Sequence, residues 1–195
     1  MTAHSARLPA LLFWGAVVVF LGSAAGARAD LSLFSPYFDN VARAVAHSDA
    51  AQVLQMVGNG GNPNDVDDNG RTGLQLAAIN GNLQIAAILI RARARLNDKD
   101  RLGNTALHYA ADRNQVEMAQ LLLDAGAAVE PENKNGMTPL MIAARSGNIL
   151  VVQALLLKGA NPAKSDFTGR DALGWAADSH RPAVVQALQR AQAKR

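Results

Sequence analysis

A chain of 195 residues with 49% hydrophobic and 18% charged residues has the apolar content of one globular unit and is neither a disordered tail nor a polytopic membrane protein. Its formal charge of +3 includes Arg7 and Arg28; without residues 1–29, 17 basic residues face 16 acidic ones, a balance that argues against the concentrated basic face nucleic-acid binding requires. No cysteine is present, so neither a disulfide nor a lipid-bearing cysteine enters, and stability rests on packing.

Residues 1–29 have the order of a secretory signal: one early cation, Arg7, an apolar run over 8–22, then small residues over 23–29. Signal peptidase requires small side chains at the first and third positions before the cut. Ala27 and Ala29 supply them, so the expected junction lies between Ala29 and Asp30. Left uncleaved, the stretch 8–27 matches the about 20 apolar residues that cross a bilayer and would act as an anchor. Either outcome places the rest outside the cytoplasm, periplasmic or secreted, and cleavage leaves no membrane contact.

After a short lead, 30–33, the chain repeats. Asp67, Asp100, Asn133 and Asp166 stand 33 residues apart, each with a glycine three positions on: Gly70, Gly103, Gly136 and Gly169. Thr72, Thr105 and Thr138 follow in register, then Leu74, Leu107, Leu140 and Leu173, then the alanine pairs at 77–78, 110–111, 143–144 and 176–177. One period earlier, 34–66 is a degenerate copy that keeps Gly60 and Ala44-Val45 but has Tyr37 in place of the turn glycine.

The glycine permits a left-handed tight turn, and the threonine two positions on is placed to cap the helix that follows. Pro139 suits a first helical turn, where Gly73 and Ala106 stand in other copies. Paired alanines let a short first helix approach its neighbours. A second helix carries Ile85, Ile88 and Leu89, or Met118, Leu121 and Leu122, at helical spacing, which predicts core positions. One such unit has nothing to bury these residues against, so neighbouring units must stack. Arg93 occupies the place of the terminal glycine in the second copy and predicts a strained or irregular turn there. Gln189, Arg190 and Gln192 replace two leucines and a glycine in the last copy. The end copies, 34–66 and 166–195, are therefore read as caps around 67–99, 100–132 and 133–165.

The stretch Asp100-Arg101-Leu102-Gly103-Asn104-Thr105-Ala106-Leu107-His108, with Leu121-Leu122-Leu123 and Gly126-Ala127 beyond it, resembles the ankyrin repeat, as does Thr138-Pro139-Leu140 with Gly159-Ala160. The likeness covers about 34–195. It implies an all-α solenoid of about five helix-turn-helix repeats joined by β-turns. It also implies a non-enzymatic protein-binding module, without cofactor and expected as a monomer, whose turn tips and first helices line a concave groove. By register that groove takes in Arg71, Asn80, Arg101, Leu102, Asn104, Arg113, Lys134, Met137, Arg145, Phe167 and Arg170. Arg101, Met137, Arg145 and Phe167 are the expected anchors, because arginine and large apolar groups combine buried area with directional bonding.

Rival chemistry is thin. The stretch 65–70 imitates half of a calcium loop, but its twelfth position is Leu76 instead of a bidentate glutamate. His108 stands where ankyrin repeats favour a histidine that ties turn to helix. His47, His108 and His180 have no partner at metal-ligand spacing, and no serine has an identifiable base. Tyr109 and Trp175 share a register with Leu76 and Ile142 and are expected as core fillers. The alternatives kept open are a membrane-tethered scaffold and an enzyme with an unrecognised site.

Overall fold

The computed structural model describes residues 40–193. The expected signal segment, the lead and the opening of the first repeat, Tyr37 included, lie outside the described residues. Ten helices are present among those described: α1 (Val41–Ala46), α2 (Ala50–Gly58), α3 (Gly73–Asn80), α4 (Leu83–Arg91), α5 (Ala106–Asp112), α6 (Val116–Asp124), α7 (Pro139–Ser146), α8 (Ile149–Leu157), α9 (Ala172–Asp178) and α10 (Pro182–Ala193). They form five pairs, as an all-α stack of helix-turn-helix units requires. The short first helices α1, α3, α5, α7 and α9 pack each on the next as an inner row. The second helices α2, α4, α6, α8 and α10 make an outer row in the same order. Extended pairing among the described residues is confined to two isolated bridges, Val66 with Thr72 and Ser165 with Asp171, at the feet of two turns.

Three recurring places take the backbone into the left-handed region, the first being the turn glycines Gly70, Gly103, Gly136 and Gly169. Every residue of positive φ among those described falls on one of them. At the junction inside each helix pair stand Ser48, Gly81, Asn114, Gly147 and His180. After the outer helix stand Gly60, Arg93, Gly126 and Gly159, so Arg93, with φ 61°, holds a conformation its three counterparts reach without a Cβ. The irregularity expected there is thus a local strain, while the path of the chain is unchanged.

The inner helices start as expected. Thr72 Oγ1 accepts from the Gln75 amide at 3.3 Å and Thr138 Oγ1 from the Met141 amide at 3.4 Å, while Asp171 does the same for Gly174 at 2.8 Å in the last copy. The alanine pairs of α3, α5 and α7 are fully buried, because a large side chain there would force the inner row apart. In α9 Ala176 is buried and Ala177 exposed.

The outer helices bury one stripe. Ile85, Met118, Val151 and Val184, with Leu89, Leu122, Leu155 and Leu188, are all at most 1% exposed. Ile88 and Leu121 are only half-buried at the edge of that stripe, a correction to their expected core role. α10 continues for 12 residues where α4, α6 and α8 have nine.

A ladder absent from the sequence reading joins the loops behind the outer helices. Asn64 Oδ1 accepts the Arg95 amide at 2.7 Å, Asn97 Oδ1 the Ala128 amide at 2.9 Å, and Glu130 Oε1 the Asn161 amide. In each case a polar side chain of one copy satisfies a backbone donor of the next.

Candidate protein-binding surface

The surface grows out of the turns. The first residue of each period folds its own side chain back into the turn: Asp67 Oδ1 accepts the amides of Asn69 and Arg71, and Asp100 Oδ1 those of Leu102 and Asn104. Asn133 Oδ1 accepts those of Asn135 and Met137, and Asp166 Oδ1 those of Thr168 and Arg170. The second carboxylate oxygen is then free for a side chain. Asp67 takes Arg71, at 2.9 and 2.7 Å; Asp100 takes the Tyr109 hydroxyl; Asp166 takes Trp175 Nε1 at 2.9 Å. Burial pushes the Asp67 and Asp166 carboxyls up, but these hydrogen bonds outweigh it and hold both below the usual carboxylate range. Burial, and then the bond to Asp100, raises the Tyr109 hydroxyl.

Tyr109 and Trp175 are therefore half-buried rims of the surface, a correction to their reading as core fillers. Each packs an apolar ring and sends its polar tip to the aspartate nine residues earlier, as amphipathic aromatics do. That recurrent nine-residue pairing was the sequence signal available. The Trp175 ring in turn carries the Arg170 guanidinium at 4.9 Å and that of Arg145 at 5.8 Å.

One layer further in, His108 joins two repeats. Its Nδ1 accepts the Thr105 amide at 3.0 Å, which leaves Nε2 to donate to the Met137 carbonyl at 3.1 Å. Burial away from water pushes this imidazole down to about 4, so it stays neutral. Gln75 performs the same task one repeat earlier, accepting the Thr72 amide at 2.7 Å and donating to the Asn104 carbonyl at 2.7 Å. Met141, next in register, offers the Thr138 amide only its sulfur, at 3.5 Å.

Along the tips, successive turns are stitched by their backbones: the Lys134 amide donates to the Leu102 carbonyl at 3.0 Å and the Phe167 amide to that of Asn135 at 3.2 Å. Arg101 lies over Gly70 and Phe167 over Gly136, where an added Cβ would stand 2.6 Å from the Phe167 ring, so this glycine is required by the close approach as well as by its φ of 75°. Beneath the tips of the third and fourth copies is a cleft of about 210 Å³ walled by Leu102, Tyr109, Asp112, Lys134, Met137 and Arg145.

The eleven groove residues divide accordingly. Arg101, Leu102, Lys134 and Phe167 are exposed on the tips, Leu102 at 64% and Phe167 at 73%. Asn80 and Arg113 are exposed at the C-terminal ends of α3 and α5. Arg71 is engaged by its own turn. Asn104 is half-buried and accepts from Asn133 Nδ2 at 3.0 Å. Arg145 pairs with Asp112 at 3.7 Å and Arg170 with Asp178 at 3.3 Å. Met137 corrects an expectation: at 3% exposure it is a wall of the cleft, with its sulfur 3.9 Å from an Arg145 nitrogen, and is no free anchor. A flexible apolar side chain beside a cleft turns inward because water offers it nothing.

The described residues hold no group of three or more histidines or acids arranged for a metal. In the stretch 65–70, Asp65 accepts from Asn62 and the Val41 amide, and Asp67 serves its turn. No described helix is long and apolar enough to cross a membrane. A second apolar surface, missed from the sequence, lies on the outer row, where α8 exposes Leu150 at 55% and Leu157 at 87%.

The family model for ankyrin repeats in three copies matches residues 41–133 and again 125–194. No curated protein shows a significant match to the chain. Ankyrin repeats are in general protein-protein interaction modules and typically non-enzymatic, which agrees with tips that offer side chains for contact. With paired helices, glycine turns and a matched span covering nearly all described residues, the chain belongs to the ankyrin-repeat family.

Proposed function

We propose that this chain is an exported, non-enzymatic binding module that docks one protein partner along its turn tips and the cleft beneath them, and so stabilises, inhibits or localises it. The observation that carries this is the contrast along the tips. Asp67, Asp100, Asn133 and Asp166 are consumed by their own turns, while Arg101, Leu102, Lys134 and Phe167 present exposed side chains on that rigid frame. A backbone already ordered by these turn bonds leaves only side-chain freedom to be lost on binding, which favours recognition. Export rests on the order of residues 1–29, and the intact mass of the exported product, expected to begin at Asp30, tests it; retention of residues 1–29 would replace the free module with a tethered one.

Affinity capture from the exported fraction tests the surface. Replacing Arg101, Arg145 and Phe167 together by alanine should reduce recovery of the partner by about tenfold or more. Replacing Leu150 and Leu157 on the opposite face should leave recovery intact. The reverse pattern would move the binding site to the outer row.

A further inference from the structure

We infer, on the reading that the turn tips bind the partner, that they take an extended, acidic segment whose carboxylates recur every third residue, followed by a bulky apolar side chain. The sign of the partner follows from charges already spent. Among the described residues Arg71, Arg145 and Arg170 are each paired with an aspartate, whereas Arg101 and Lys134 form no ion pair. The acids of this face are likewise engaged, Asp67 by Arg71, Asp112 by Arg145 and Asp178 by Arg170, with Asp100 and Asp166 closed into their turns. What remains outward is positive, flanked by Leu102 and Phe167.

The spacing follows from the stack. Asp68, Arg101, Lys134 and Phe167 hold one place in successive periods, and Asp68 already contacts Arg43 at 3.4 Å. The row therefore reads acid, cation, cation, aromatic. Each step spans one helix-packing distance, about 8–10 Å. A polyproline-II segment has three residues per turn and rises about 3.1 Å per residue, so every third side chain returns to one face after about 9 Å. Side chains of a flat β-strand alternate faces with a period of two and fall out of step with this row. A segment of the form acid-x-x-acid-x-x-apolar thus sets its two carboxylates against Arg101 and Lys134 and its apolar group against Phe167.

The test uses the full-length chain and labelled peptides on a proline-alanine background: EPAEPAL, its amide counterpart QPAQPAL, and EPEAPAL with the acids two apart. EPAEPAL should bind about tenfold more tightly than either control, more weakly as salt rises. The double variant Arg101→Glu with Lys134→Glu, checked for an unchanged melting curve, should lose EPAEPAL and gain the basic peptide KPAKPAL. Absence of EPAEPAL binding, equal binding of EPEAPAL, or failure of the charge swap overturns the inference. So does displacement of EPAEPAL by a short single-stranded DNA as effective as the peptide itself, which would mark indiscriminate attraction of anions. Failure of these peptides while partner capture still depends on Arg101, Arg145 and Phe167 defeats the acidic-segment inference alone; capture indifferent to those residues defeats the tip-binding reading beneath it.

Discussion

Arg93 holds at φ 61° a backbone that Gly60, Gly126 and Gly159 hold at the equivalent places, and its Cβ crowds the following carbonyl there. Replacing it by glycine should stabilise the chain by about 1 kcal/mol, less a few tenths for the added freedom of the unfolded state, read as a higher urea midpoint with unchanged slope. Asn114, at the helix-pair junction, should show no comparable gain on the same change, because asparagine tolerates this region better than most residues. Arg93 was visible in the sequence as a departure from a glycine register; Asn114 was not read from it. The half-exposed setting of Tyr109 and Trp175 was not, because a register shared with Leu76 and Ile142 states which way a side chain points and not how far its polar tip reaches.

Helices are joined here by bonds that pass from one pair to the next, and His108 is a buried titratable group among them. Unfolded, its imidazole takes a proton near 6.5; folded, only near 4, so the unfolded chain binds more protons throughout that interval. Stability should be whole above pH 6.5 and fall as pH drops towards 4, by on the order of 3 kcal/mol. Asp67 and Asp166, held below the usual range, add their own losses only at still lower pH. The variant His108→Gln borrows the geometry of Gln75, which makes the same two bonds, so melting at pH 7 should change little while the slope between 6.5 and 4 flattens. A slope unchanged in that variant would assign the pH dependence elsewhere. The threonine caps and the histidine register were legible in sequence, but the acceptors in the next copy were not, since a pattern of letters does not say which carbonyl lies opposite.

The stack as a whole should melt as one body, because each layer's apolar stripe is buried only against its neighbours. Leu122, with no exposed surface in α6, should cost about 2–5 kcal/mol when cut to alanine, whereas Arg101→Ala on the tip should leave the melting temperature almost unchanged. Calorimetry of both variants checks the register: a broad or split transition in Leu122→Ala would mean that the layers melt separately. At this scale the exposed Leu150 and Leu157 of α8 mark a face that periodicity could not reveal, since α8 is apolar nearly all round and its sequence names no outward side.

By itself the sequence determined the period, the helix pairs, the caps and the buried stripe, because each depends on residue type at a fixed local spacing: glycine for left-handed turns, threonine for free amides, alanine for close approach. Only the tertiary structure decided which groove residues remain available. Arg71, Arg145 and Arg170 are cations of the same groove as Arg101 and Lys134 and carry the same charge, yet among the described residues the first three pair with aspartates and the last two do not. Met137 likewise turns inward because the fold places a cleft beside it. Charge and apolar surface are properties of a residue; whether they are already satisfied depends on neighbours that only the three-dimensional arrangement supplies.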